Sequence, residues 1–228
     1  MISYSQSPIV NVLAGSEAEP QAYRVHKSSL RKESSVYSAE LSGKWLEDGK
    51  QVSLEGEDHI FVEAMIDWMY SRTFQPSNGE AIIDHDYFFG CYHIADQKVM
   101  CGFKNKIMDT MRSAYLQHKP LVEIHNVQKA YACDLGHTPM GKFLVKLVVH
   151  AVTKSSSIFG HAITTHGTLG SADETWKQAL KRASAENRDL ATDIVQEFID
   201  HRSTDNPPWE GEGKCLFHDH GNGSSCSP

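Results

Sequence analysis

Four residues near the end of the chain carry the chemistry that most needs weighing. Cys215, His218, His220 and Cys226 put two thiols and two imidazoles into twelve residues. Zinc accepts that ligand set in tetrahedral geometry, and such a site would be structural because its four positions are all filled. The flanking glycines let the loop curl. However, the spacing Cys-x2-His-x-His-x5-Cys is not that of a zinc finger, and histidines one residue apart need a turn to share an ion. The bland alternative is a flexible end without metal, and the sequence favours it, so no cofactor is expected.

Other constellations carry less. Asp84-His85-Asp86 reads as a helix start, where acids suit the dipole. His161 and His166 lie in a Ser/Thr-rich stretch without a carboxylate at diagnostic spacing. Gly211-Glu-Gly213-Lys214 lacks the phosphate-loop pattern, and neither a Gly-x-Ser-x-Gly elbow nor a dinucleotide fingerprint is present. With 13 histidines, chance clusters are expected. No catalytic residue emerges, and an enzyme is the weaker alternative to a protein–protein interaction module.

The 22 basic and 29 acidic residues give a net charge of -7, which speaks against a general nucleic-acid binder. The aromatics fall in apolar stripes and do not alternate with basic residues as single-strand binders require. The first residues, Met1-Ile-Ser-Tyr-Ser-Gln-Ser, show no signal peptide, and no apolar run approaches the roughly 20 residues of a membrane helix. Of the five cysteines, Cys91, Cys101 and Cys133 are expected as small buried hydrophobes. That usage suits a reducing compartment, nucleus or cytoplasm.

The elements that must position these residues follow from period and punctuation. Alternation predicts strands at about 9–13, 22–26 and 52–54, the first two forming a hairpin. Helices are predicted at about 28–33, capped by Ser28 or Ser29, and at 35–42, introduced by Ser34-Ser35 and ended by Gly43. A third, at 60–70, sets Phe61, Met65, Trp68 and Met69 on one side. The helix at 84–96 carries Tyr87, Phe88, Cys91, Tyr92 and Ala95. The next, 99–116, carries Val99, Met100, Phe103, Ile107, Met108, Met111 and Tyr115 at core spacing. Lys119-Pro120 is the expected boundary. Helices beyond it are predicted at about 121–133, 139–154, 173–185 and 188–201, the last with Leu190, Ile194, Val195, Phe198 and Ile199 as its stripe. The organisation is a mixed α/β (α+β, mostly helical) domain at 9–117, a helical extension at 119–201 and a loose tail at 202–228.

The ordered series Tyr23-x-Val25-His26-Lys27-x-x-Leu30, Ser34-Ser35-Val36-Tyr37, Val52-x-Leu54, Phe61-x-x-x-Met65 and Trp68-x-Tyr70 resembles the core of a BTB/POZ domain. Tyr92-x-x-Ala95-Asp96 and Phe103-Lys104 resemble two later elements of that family, and the tail is similar to that of fungal single-BTB proteins. The resemblance implies a small sheet flanked by helices and a role in protein–protein interaction. It also implies that Lys27 is the basic half of a charged pocket at a dimer interface. The acidic half falls at about Pro8, which is not acidic, so the family's homodimer is in doubt here.

Trp45 and Glu47 follow Gly43 on a short polar link, and a large aromatic beside a carboxylate on an exposed surface is the chemistry of a contact hot spot. In BTB domains that serve as cullin adaptors a hydrophobic-x-Glu motif stands eight residues beyond the aromatic of the Ser-x-x-Phe/Tyr element. Eight residues beyond Tyr37 is Trp45, and Glu47 completes the motif. The resemblance therefore implies a substrate adaptor of a cullin-type ubiquitin ligase. The alternatives are a dimerising transcriptional or structural scaffold, or a Trp45 packed on the domain flank with Glu47 solvated.

Overall fold

The computed structural model describes residues 7–16, 19–42, 51–75, 84–118, 124–154, 176–200 and 216–220. The protein is a mostly helical α/β fold with a small open sheet of three strands: β1 (Ile9–Gly15), β2 (Gln21–His26) and β3 (Val52–Glu55), in the order β2-β1-β3. β1 pairs antiparallel with β2, Val10 opposite Val25, and parallel with β3, Val12 opposite Val52. Period-two alternation buries Val10, Val12, Ala14, Val25, Val52 and Leu54 on one face. Asn11, Arg24 and Ser53 on the other face meet solvent.

Nine helices are described: α1 (Lys27–Glu33), α2 (Ser35–Glu40), α3 (His59–Ser71), α4 (His85–Gln97), α5 (Cys101–His118), α6 (Ile124–Ala132), α7 (Pro139–Lys154), α8 (Trp176–Glu186) and α9 (Arg188–Asp200). The chain divides into two compact units. The first is Met1–Gly79 with Asp86–Thr110 and Asp219–Pro228; the second is Glu80–His85 with Met111–His218. The boundary expected at Lys119-Pro120 lies outside the described residues.

In the first unit, β2 runs straight into α1, so Ser28 and Ser29 fall inside the first turn and neither caps it. Ser7 supplies a partner instead, its Oγ accepting from the Ser28 N–H at 3.0 Å. Ser34 does cap α2, accepting from the Tyr37 N–H at 3.0 Å, and donates its own proton to the Lys98 carbonyl. α2 ends at Glu40; Gly43 lies outside the described residues. Asp58 caps α3 through the Ile60 N–H at 3.0 Å, and Val62, Met65, Trp68 and Met69 are buried. Trp68 stacks on Phe103 at 5.1 Å, and Phe74 packs against Tyr87, Phe88 and Phe103 at 5.5–5.6 Å. Gly90 leaves room for the Phe61 ring in this cluster, since a Cβ there would lie 2.2 Å from it and the ring would have to shift.

Three expected side-chain placements are corrected here. Val99 is not part of the α5 stripe: it is 45% exposed and adopts φ +50. α4 ends in a Schellman turn, with Met100 N–H bonded to the Ala95 carbonyl (2.8 Å) and Val99 N–H to that of Asp96 (3.0 Å), which forces left-handed backbone at residue 99. Cys101 is half-buried, as is Cys133 in the second unit; only Cys91 of the three is fully buried.

In the second unit, α6 ends in the same device, Leu135 N–H reaching the Ala130 carbonyl at 2.9 Å with Asp134 at φ +59. Pro139 then opens α7 at a position where its missing N–H costs nothing. Asn187 starts α9 by accepting from the Leu190 N–H at 2.9 Å. Of the stripe expected on α9, Leu190 and Ile194 are buried, whereas Val195 and Ile199 are 58% and 57% exposed. Periodicity located a helix face correctly but overstated its width. Among the described residues no helix is long and apolar enough to cross a membrane.

Candidate functional site

The most fully built polar site of the first unit lies where α4 passes into α5. Phe103 turns inward, so the next residue, Lys104, starts its path in the core and only its ammonium reaches polar partners. The Lys104 side chain is 6% exposed. Its Nζ donates to Asp96 Oδ1 at 2.8 Å and to the carboxylate of Asp219. Burial alone would lower its pKa, but the hydrogen bonds from Asp219 and Asp96, with the Asp96 charge, win and hold the ammonium above its usual 10.5. Its neighbour Asn105 reads the backbone of the same tail residue in both directions. Asn105 Nδ2 donates to the Asp219 carbonyl at 3.1 Å, and the Asp219 N–H donates to Asn105 Oδ1 at 2.7 Å. Leu216–His220, within the segment expected to be loose, includes this held residue, and in the second unit Phe217 is 2% exposed, edge-on to Phe143 at 5.2 Å with Arg112 over its face.

The sequence singled out neither Lys104 nor Asp219 as a functional residue. Asp96 and Lys104 stood in two separate family-like elements, and the only clue to their pairing was an eight-residue spacing across a helix junction. Asp219 sat between the two histidines considered as zinc ligands.

At one end of the sheet, Lys27 is half-buried, and its N–H donates to the Pro8 carbonyl at 2.8 Å. That bond is between main chains, and Lys27 has no ion-pair partner among the described residues. Beside it the Tyr70 hydroxyl accepts from the His26 N–H at 2.9 Å and bonds its Nδ1 at 2.8 Å. Tyr23 donates to Glu63 at 2.9 Å; burial and then the Glu63 contact push its hydroxyl pKa up. Across the unit, Arg72 grips Glu33 with both terminal nitrogens.

Trp45 and Glu47 lie outside the described residues, as do Cys215 and Cys226. His218 and His220 are half-exposed on either side of Asp219. Among the described residues no group of three or more His, Cys, Asp or Glu is placed to hold a metal ion. His85 bonds Tyr115 through Nε2 at 2.8 Å and Asn126 through Nδ1 at 3.2 Å, which makes it a structural member of the second unit.

The second unit has a recess of about 430 Å3 walled by α7 and α9. Its charges are largely committed to each other. Lys146 donates to both Glu197 oxygens at 2.7 Å, and the Tyr131 hydroxyl donates to Asp193. Burial first, then the Asp193 bond and the Asp193 and Asp189 charges, push the Tyr131 pKa up, so it remains a neutral donor. Gly136 makes room for that ring, since a Cβ there would approach it to 2.6 Å.

Compared with models of protein families, the chain has no match, and no curated protein matches it.

Proposed function

We propose that this chain is a BTB/POZ-type protein-interaction module without catalytic activity. The observation that carries the reading is the burial of most of the apolar residues of the motif series. Val25, Leu30, Tyr37, Val52, Leu54, Met65 and Trp68 are all core residues, and their elements follow in the order β1-β2-α1-α2-β3-α3, ahead of α4 and α5. A domain of this kind works by presenting surface, and the half-exposed Ile9, Ile60 and Tyr70 leave apolar area on the first unit for contact.

The specific role we propose is that of a substrate adaptor for a cullin-type ubiquitin ligase, with Trp45 as the hydrophobic anchor and Glu47 as the charged contact beside it. The motif spacing from the buried, Ser34-capped Tyr37 supports this assignment. Pro8 supplies no carboxylate for Lys27, which favours an adaptor over a tight homodimeric scaffold. Calorimetric titration with purified cullins tests the role. Trp45→Ala is expected to weaken binding by about thirtyfold or more, equivalent to about 2 kcal/mol for a central aromatic anchor. Glu47→Ala should act mainly on association rate and salt dependence. A wild-type chain that binds no cullin removes the ligase role and leaves the fold untouched.

A further inference from the structure

We propose that the Lys104–Asn105 notch is a peptide-reading site: it takes an extended segment bearing an aspartate from a partner protein, and the chain's own Asp219 is its resident occupant. The notch recognises two features common to any such segment. Asn105 satisfies one residue's N–H and C=O together, at 2.7 and 3.1 Å, which is how a strand edge reads a neighbour regardless of its side chains. Lys104 adds the selectivity. Its ammonium is buried and already holds Asp96 from the same frame, so a second carboxylate must come with the ligand.

Removing that carboxylate would leave a desolvated cation with a single acidic partner, a costly arrangement that any incoming aspartate relieves. The present occupant arrives from 115 residues away on a stretch, residues 218–220, with neither helix nor strand. Asp219 itself binds by one side chain and its own backbone, as a residue of a short linear motif would, while Phe217 is held separately in the second unit. This inference rests on the reading of the chain as an interaction module but uses residues other than Trp45 and Glu47. A failed cullin titration and a failed peptide titration are therefore separate results.

The test is fluorescence anisotropy with a labelled, end-blocked peptide spanning Leu216 to Gly221, titrated with the full chain. The wild type, whose notch is filled, is expected to bind weakly. Asp219→Asn in the chain should tighten the apparent Kd at least about tenfold, because binding through a partly blocked state is weakened by the blocked fraction. Lys104→Met added to Asp219→Asn should abolish the gain, and a peptide with alanine for its aspartate should lose it. Asp219→Glu, which keeps the charge but displaces it by one methylene, is the second variant and should show a smaller gain in the same direction. Equal affinity for wild type and both variants, or indifference to the peptide's aspartate, overturns the proposal. A wild-type dimer that is lost on Asp219→Asn would assign the notch to a second copy's tail and overturn the partner reading.

Discussion

Lys104 and Asp96, eight residues apart on either side of the α4–α5 turn, close a 2.8 Å ion pair from a lysine side chain with almost no solvent contact. Lys104→Met should lower stability by about 2 kcal/mol, the scale of charged hydrogen bonds, with both carboxylates partly solvated. The Lys104 pKa is raised in the fold, so its contribution is complete below the unfolded value and fades only as pH rises through the folded one. The wild-type advantage in urea melts should therefore persist undiminished at about pH 9. An advantage that declines between about pH 7 and pH 9 would contradict this assignment.

Glu33 behaves in the opposite sense. Burial works to raise its pKa, but the Arg72 hydrogen bonds and charge, with Lys32, outweigh it and hold the carboxyl below its usual 4.5. Stability from this pair is present above the unfolded pKa and is lost as pH falls through the folded one. Arg72→Gln should cost about 0.5–1 kcal/mol near neutral pH, since the arginine is partly exposed. The cost should shrink in acid, and an equal cost at about pH 3 would show that Arg72 acts by packing on Trp68 alone.

Val99 is a β-branched residue held in left-handed backbone at φ +50. Val99→Gly should stabilise the chain by about 1 kcal/mol, because glycine adopts that conformation without a Cβ penalty and the side chain it removes is largely exposed. Thermal melting checks this, and a lower melting temperature would mean that the exposed isopropyl group has a packing role.

Gly141 lies against the α6–α7 turn, where an added Cβ would sit 2.2 Å from the Gly136 carbonyl oxygen and 2.5 Å from that of Leu135. Backbone cannot yield as a flexible side chain can, so Gly141→Ala should destabilise by at least about 2 kcal/mol. Gly102→Ala, whose Cβ would meet only the Trp68 ring at 3.2 Å, should cost much less. Equal denaturation midpoints for the two variants would contradict the geometry.

The elements of the fold were legible because their signals are local. Val10 and Val12 alternate, Ser34-Ser35 precedes a short helix, and Met65, Trp68 and Met69 recur at helical period in a long one. The candidate site was not legible, because the pairing of Lys104 with Asp219 is set by tertiary approach over 115 residues and leaves no periodic trace. Val99 and the Val195–Ile199 face misled for a related reason: hydrophobic spacing records which residues are apolar, not whether a neighbour arrives to cover them. The Ser28–Ser29 pair looked like a cap because β2 gives no warning that it enters α1 without a break.

The first unit draws on three stretches of chain, the last beginning at Asp219. On a ribosome adding about 5–20 residues per second, the sheet and aromatic cluster emerge with residue 110, but Asp219 follows on the order of ten seconds later. During that interval the nascent chain exposes Lys104 with one of its two carboxylates missing. Any acidic segment of a chaperone or a neighbouring nascent chain then competes for it, so a stall between residues 110 and 219 would leave the unit folded in outline and electrostatically incomplete.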